Sequence, residues 1–248
     1  MKRIDIFYLA TGIYTSYFDN FIMTVKNFFP GSDKYVHVIT DADLKVEIND
    51  EKIHVDVNII IDLPYPIIGL LKTTYISHYL TDEMEYIFYF DADTIFKEKN
   101  TEYWDELERN IKNGEILMSI HPANHYPNYE LDRTSEAYLP PENYTFSVIS
   151  SFYGGEVSEM KKLINIVTEM IKRDLQHSDG NGHHIHYIPV LFDQDYMNKI
   201  VNTSKEVSFL LRYFIDIAWF KNNYDRPEEN FIEQKYDIQR KFKTKNMI

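Results

Sequence analysis

Short apolar runs alternate along the chain with longer segments of helical period, beginning at its first residues. Arg3-Ile4-Asp5-Ile6-Phe7-Tyr8-Leu9 reads as a strand that passes through Ala10 into Thr11-Gly12. From about Thr15 the positions Phe18, Phe21, Ile22, Val25 and Phe28/Phe29 recur at helical spacing, and Pro30-Gly31 stops them. Tyr35–Thr40 and about Ile53–Ile61 read as the next two strands, the second with a His54-Val55-Asp56-Val57-Asn58-Ile59 alternation. Pro64 and Pro66 precede a helix at about Ile67–Leu80, and then Tyr86-Ile87-Phe88-Tyr89-Phe90 forms an apolar, aromatic run suited to a fully buried strand. The order β-α-β-β-α-β predicts an α/β fold with a mainly parallel, mixed sheet. Ligands of such sheets sit at the carboxyl ends of the strands, so the turns after Ala10, Thr40 and Phe90 are expected along one edge.

The second half continues the pattern. A helix is expected around Glu102–Asn113 and a strand at Ile116–Ile120, ending in His121-Pro122. The Tyr/Pro/Asn-rich stretch 123–143 is too long for a mere connection. A strand at Tyr144–Tyr153 is expected to end in Gly154-Gly155, before a long amphipathic helix with Met160, Leu163, Ile164, Val167, Met170 and Ile171 on one face. Gly180–His186, with three His in four residues, reads as a polar loop rather than a metal cluster. A short helix follows Phe192, and a final strand, Phe209–Ile215, leads to Trp219 and a charged tail from Lys221.

Two carboxylates one residue apart end the buried run, in Asp91-Ala92-Asp93. Carboxylates there are costly unless something cationic pairs with them. Mg²⁺ or Mn²⁺ suits, since hard cations take oxygen ligands and share them with phosphates. An acidic turn is the alternative, and the triplet recurs as Asp41-Ala42-Asp43 and Asp193-Gln194-Asp195. Only 91/93 lies between two apolar segments in mid-chain.

Composition narrows the classes. A net charge of −13 argues against general nucleic-acid binding, which requires a basic face. Against that acidic body, Lys235, Arg240, Lys241, Lys243 and Lys245 make the tail basic, as a solvated end or as a lid over an anionic ligand. The absence of cysteine removes thiolate chemistry and Cys zinc sites. No 18-residue apolar run or secretory leader is read, so a soluble, cytoplasmic protein without a transmembrane segment is expected. The 20 Tyr could stack sugars, but a Tyr-rich core accounts for most of them.

Over residues 4–220 these motifs resemble glycosyltransferase family 6, the family of the blood-group A/B transferases and α1,3-galactosyltransferase with short bacterial members. Tyr8–Tyr14 resembles its nucleotide-contacting turn and Asp91-Ala92-Asp93 its metal-binding Asp-x-Asp. His121-Pro122, Tyr129-Glu130, Ala137-Tyr138-Leu139-Pro140 and Phe152-Tyr153-Gly154-Gly155 resemble further signatures, as do Asp193 and Asn198-Lys199. Phe192 stands where the family has His, Gln194 where it has Glu and Asp195 where it has Ser, while Leu131 and Asp132 replace two Arg. Asp193-Gln194-Asp195 is instead similar to glycosyltransferase family 8, also retaining enzymes that use UDP-sugars.

The resemblance implies a GT-A fold: a single Rossmann-like domain over 1–220 with a basic tail, 221–248, as an active-site lid. It implies a retaining enzyme that moves galactose or N-acetylgalactosamine from a UDP-sugar to an oligosaccharide or glycolipid acceptor in α1,3 linkage, with Mn²⁺ or Mg²⁺ on Asp91 and Asp93. A glycolipid acceptor would bring the protein to a membrane surface. The implied donor-binding set is Leu9, Ala10, Thr11, Tyr14, Lys72, Asp91, Ala92, Asp93, Ile149, Ser151 and Asp193, with Arg240 and Lys243 from the tail. Ile149 and Ser151 match donor-selecting positions, and Ser151 leans toward galactose because Gly there makes room for an N-acetyl group. Asp193 and Gln194 are the implied catalytic pair; a neutral amide is a poor nucleophile, so Gln194 favours front-face attack. His121, Tyr138 and Trp219 are the acceptor-side candidates. A non-catalytic nucleotide-sugar or glycan-binding protein on the same fold is the alternative, prompted by Gln194. A metal-dependent phosphohydrolase is a second, though two-metal sites require more carboxylate or His ligands.

Overall fold

The computed structural model describes residues 1–61, 63, 67–121, 130, 132–176, 189, 193–217 and 232–234. Its body is a seven-stranded sheet built from β1 (Arg3–Leu9), β2 (Asp33–Thr40), β3 (Ile53–Ile59), β4 (Tyr86–Asp91), β6 (Glu115–Ile120), β7 (Val148–Glu156) and β8 (Ser208–Arg212). The order across the sheet is β3-β2-β1-β4-β7-β6-β8. β3, β2, β1 and β4 run parallel, β6 and β8 are parallel to each other, and β7 is antiparallel to both β4 and β6. A small second sheet joins β5 (Thr94–Phe96), β9 (Ile215–Ile217) and β10 (Ile232–Gln234) in the order β5-β10-β9. The helices are α1 (Phe18–Thr24), α2 (Ile67–Leu70), α3 (Lys72–Tyr79), α4 (Thr101–Lys112), α5 (Val157–Leu175) and α6 (Asp193–Thr203).

The expected elements form, with four differences. The helix read from about Thr15 to Phe29 is α1 alone, Phe18–Thr24, between 3₁₀ turns at Gly12–Tyr17 and Val25–Asn27. The helix read at Ile67–Leu80 is broken at Leu71 into α2 and α3. The strand read at Tyr144–Tyr153 starts at Val148 and runs on through both glycines to Glu156. The single strand read at Phe209–Ile215 is two, β8 in the main sheet and β9 in the small one. Stretch 132–143 is irregular apart from one 3₁₀ turn at Pro141–Asn143.

Among the described residues the core is rich in Phe rather than Tyr: of the tyrosines only Tyr8, Tyr89, Tyr153 and Tyr196 are buried, so the expected Tyr-rich core is not what forms. Phe21, Phe28, Phe88, Phe90 and Phe152 are fully buried on one side of the sheet. Phe90 stacks on Phe152 at 5.0 Å and meets Phe28 edge-on at 5.1 Å, geometries that add to area burial. The other side packs Phe7, Tyr89, Met118 and Tyr153 against α5 and α6 through Leu163, Val167 and Tyr196. Asp5, buried in mid-β1, is satisfied by Arg3 through two 2.9 Å hydrogen bonds and contacts His37 Nε2 at 2.9 Å. Those partners hold its carboxyl below the usual range against the opposing effect of burial.

Gly154 is what lets β7 lie against β4. A Cβ there would stand 2.1 Å from Phe88 Cδ1 and 2.7 Å from the Ile87 carbonyl oxygen. At Gly155 the nearest atoms are backbone of β6 at 3.3 Å and 3.4 Å, a tight but less severe approach. Gly154→Ala is therefore expected to destabilise the protein by about 3 kcal/mol or more, and Gly155→Ala by roughly 1 kcal/mol. Urea unfolding of both variants measures the order; equal costs would contradict it.

Candidate active site

Parallel strands bring the predicted turns together. Leu9 pairs with Asp91 across β1 and β4, and the Ala10 N–H donates to the Ile39 carbonyl of β2 at 3.0 Å. The Tyr8 hydroxyl donates to the Ala92 carbonyl at 3.1 Å, tying the turn after β4 to β1. Thr11 accepts the Tyr14 N–H at 3.1 Å and so shapes the start of the turn after β1. The Gly12 N–H donates to both carboxylate oxygens of Asp41, at 2.9 and 3.1 Å. The Asp41-Ala42-Asp43 triplet thus serves as the acidic turn that fixes its neighbour.

Asp91 ends β4 and is one-third exposed. The Tyr89 hydroxyl donates to its Oδ1 at 2.7 Å. Asp93 follows in the turn, half-buried. Lys72, the first residue of α3, is buried and reaches over the Tyr89 ring, with Nζ 4.7 Å from its centroid. That ammonium lies 2.9 Å from Asp193 Oδ2 and 3.5 Å from Asp91 Oδ1. It also donates hydrogen bonds to the Ser150 carbonyl at 3.0 Å and the Ser150 Oγ at 3.2 Å. One cation thereby joins β4, β7 and the N-terminus of α6.

Asp193 is 4% exposed. Burial pushes its carboxyl up to about 6; Lys72 opposes the rise, Asp91 adds to it, and a hydrogen bond from Ser150 lowers it. Gln194 follows on the same turn, half-buried, and Asp195 is buried.

β7 is irregular at this point. Met118 of β6 faces Tyr153, but the next residue, Ser119, faces Ile149, so residues 150–152 bulge with no partner on β6. The bulge sends Ile149 into the Phe90/Phe152 side of the core, while Ser150 meets Lys72 on the other side. Ser151 is buried, its hydroxyl without a hydrogen-bond partner. A bulge next to a site re-aims side chains.

Of the residues expected on the acceptor side, His121 directly follows β6, and its backbone N–H donates to the Ser147 carbonyl at 2.7 Å. Burial lowers its pKa. Tyr138 is half-buried in the segment between β6 and β7. Trp219, Arg240, Lys243, Pro122, Tyr129, Leu131, Phe192 and His183–His186 lie outside the described residues. Sequence reasoning missed Ser150 and Tyr89 as partners of the charged cluster; the small polar pair Ser150-Ser151 inside an apolar strand was the available signal.

A seven-stranded, mostly parallel sheet flanked by helices, with this charged cluster at its strand ends, is the architecture of a GT-A Rossmann-like domain. No protein-family model matches the chain. Over 208 residues it is 26% identical to the O-antigen biosynthesis glycosyltransferase WbnI of Escherichia coli, a similarity that spans 79% of this chain and 80% of that protein. Among the described residues no helix is long and apolar enough to cross a membrane.

Removing the shared cation leaves the buried Asp193 carboxylate without its counter-ion, near the partly exposed Asp91. Lys72→Met is expected to cost about 3–5 kcal/mol of stability, and the double variant Lys72→Met/Asp193→Asn to recover part of it. Urea unfolding of the two variants checks this; a single variant as stable as wild type would show that the ammonium is dispensable.

Proposed function

We propose that the chain is a retaining glycosyltransferase that moves galactose, or N-acetylgalactosamine, from a UDP-sugar to a hydroxyl of an oligosaccharide or glycolipid acceptor, with α1,3 linkage. The similarity to an O-antigen glycosyltransferase supports sugar transfer in general. The observation that carries the finer reading is the Lys72 junction between Asp91 and Asp193, at the edge where parallel strands end.

Departure of a nucleoside diphosphate builds negative charge on its phosphate oxygens, and fixed positive charge in a dry site stabilises it. Lys72 supplies one such charge from a buried position. Among the described residues no group of three or more His, Cys, Asp or Glu could hold a metal alone. Two carboxylates on one turn fit the other mode, in which phosphate oxygens and water complete the shell of Mn²⁺ or Mg²⁺. Asp91 and Asp93 would hold that ion, which when bound supplies Lewis-acid neutralisation of the leaving diphosphate.

Asp193, paired with the Lys72 ammonium at 2.9 Å, offers carboxylate oxygens to accept hydrogen bonds from sugar hydroxyls. Gln194, next to it, can turn its carbonyl dipole toward positive charge at the anomeric carbon. That arrangement suits front-face attack, since an amide is a poor nucleophile. Ser151, buried with an unpartnered hydroxyl beside this cluster's strand, supports a role in donor choice. Leu9, Ala10, Thr11 and Tyr14 line the neighbouring edge as donor contacts, and His121 and Tyr138 stand on the acceptor side. In the antiparallel β5–β10 pair Gln234 lies opposite Thr94, so the chain leaves β10 on the Asp93 side of the sheet. Arg240 and Lys243 are assigned as closing groups over the diphosphate and against water.

Calorimetric titration with UDP, with and without Mn²⁺, tests the reading on wild type and Asp91→Asn. Expected are Mn²⁺-dependent binding and a loss of about tenfold or more in the variant. Release of UDP from UDP-galactose should rise several-fold when an acceptor sugar such as lactose is added. Equal UDP binding without metal would leave 91/93 a structural role, and UDP binding without any turnover would favour the non-catalytic binding protein that Gln194 also allows. Absence of UDP binding in every condition would sink the sugar-nucleotide reading.

A further inference from the structure

Asp174 stands against local preference. It lies in the last turn of α5, where the helix dipole disfavours an anion, and it is 1% exposed. The helix does not require it to stop, because the Gln176 N–H already bonds the Lys172 and Arg173 carbonyls at 3.0 and 3.2 Å. A buried carboxylate is retained only where donors converge on it.

Three do. The Ser135 hydroxyl donates to Oδ2 at 2.8 Å and the Tyr196 hydroxyl to the same oxygen at 2.6 Å, while the Glu136 N–H donates to Oδ1 at 2.7 Å. Ser135 Oγ in turn accepts the Ala137 N–H at 3.0 Å, and the Ser135 carbonyl accepts the Tyr138 N–H at 3.1 Å. Lys199 of α6 donates to the Glu136 carbonyl at 2.6 Å. One buried carboxylate therefore fastens the segment carrying Tyr138 to α6, and α6 begins with Asp193 and Gln194.

We propose that Asp174 is a positioning residue for group transfer: with Tyr196 and Ser135 it fixes the acceptor-side segment relative to the donor-side end of α6. This rests on the transferase reading above. An acceptor hydroxyl must be held about 3–3.5 Å from the anomeric carbon, and a displacement near 1 Å costs about a hundredfold in rate. The two groups of residues come from separate stretches of chain. Their separation is set where those stretches are bonded together, and Asp174 is such a place.

Tyr196→Phe keeps the ring and removes one donor; Ser135→Ala removes another without touching α6. For each, kcat/KM for lactose as acceptor probe should fall about tenfold, with UDP affinity in Mn²⁺ and hydrolysis of UDP-galactose in the absence of lactose unchanged. Hydrogen exchange at the Glu136 and Tyr138 amides should speed up by about tenfold, while amides of β1 and β4 stay as in wild type. Unchanged lactose kinetics in both variants would overturn the proposal. A parallel fall in UDP affinity, hydrolysis and lactose kinetics would overturn it too, because it would show a general structural support. A wild type that binds no UDP defeats the transferase reading itself, which separates that failure from failure of the clamp.

Discussion

A single buried ammonium organises this molecule. Lys72 touches a carboxylate from the end of a parallel strand, a carboxylate from the start of a helix, and the carbonyl of an antiparallel strand. Taking these charges out of water is expensive, and apolar side chains of similar size often give equal or greater stability. The benefit lies in placement: an ion pair and directed hydrogen bonds fix three elements at one point, which apolar packing does less specifically. Lys72 and Asp193, both buried, would each be a misplaced charge without the other.

The surroundings of that point follow from it. β7 must run antiparallel between β4 and β6 to bring Ser150 to Lys72, and it can do so only because Gly154 has no Cβ to strike Phe88. The bulge at 150–152 turns neighbouring side chains toward opposite faces of the sheet. α6 is held at several places, by Asp193 on Lys72, by Asn198 accepting the Val148 N–H at 2.8 Å, and by Asn202 accepting N–H groups of Thr145 and Phe146. Strand, bulge and helix are thereby bonded to one another around the charged cluster.

Much of this frame was legible in the sequence because it follows from periodicity. The buried run Tyr86–Phe90, the helical spacing of Met160 to Ile171 and the parallel order of the first half need only local pattern. The shared edge of Leu9, Thr40 and Asp91 followed from the rule that parallel strands end together. What the pattern concealed depends on pairing between distant stretches. Gly154-Gly155 looked like a strand end, since glycine usually weakens a strand, yet close approach to β4 keeps it inside one. The strand read at Arg3–Leu9 gave no sign that its Asp5 is buried, because Arg3 and, from β2, His37 satisfy it. Asp41-Ala42-Asp43 and Asp91-Ala92-Asp93 are the same letters; only tertiary contact gives one to Gly12 and the other to Lys72 and Tyr89.

The small second sheet has a consequence for how the protein is made. β5 emerges from the ribosome directly behind Asp93, but its pairing partner, β10, is synthesised more than a hundred residues later. Contacts that distant close slowly, after local elements have formed. A nascent chain can therefore pair β1 to β4, and later add β7 with Phe152 over Phe90, while the strand after the carboxylate turn still lacks its neighbour. Completion of that turn's flank waits on translation through Gln234, so a ribosome stalled before that point would carry a folded sheet with this edge unfinished.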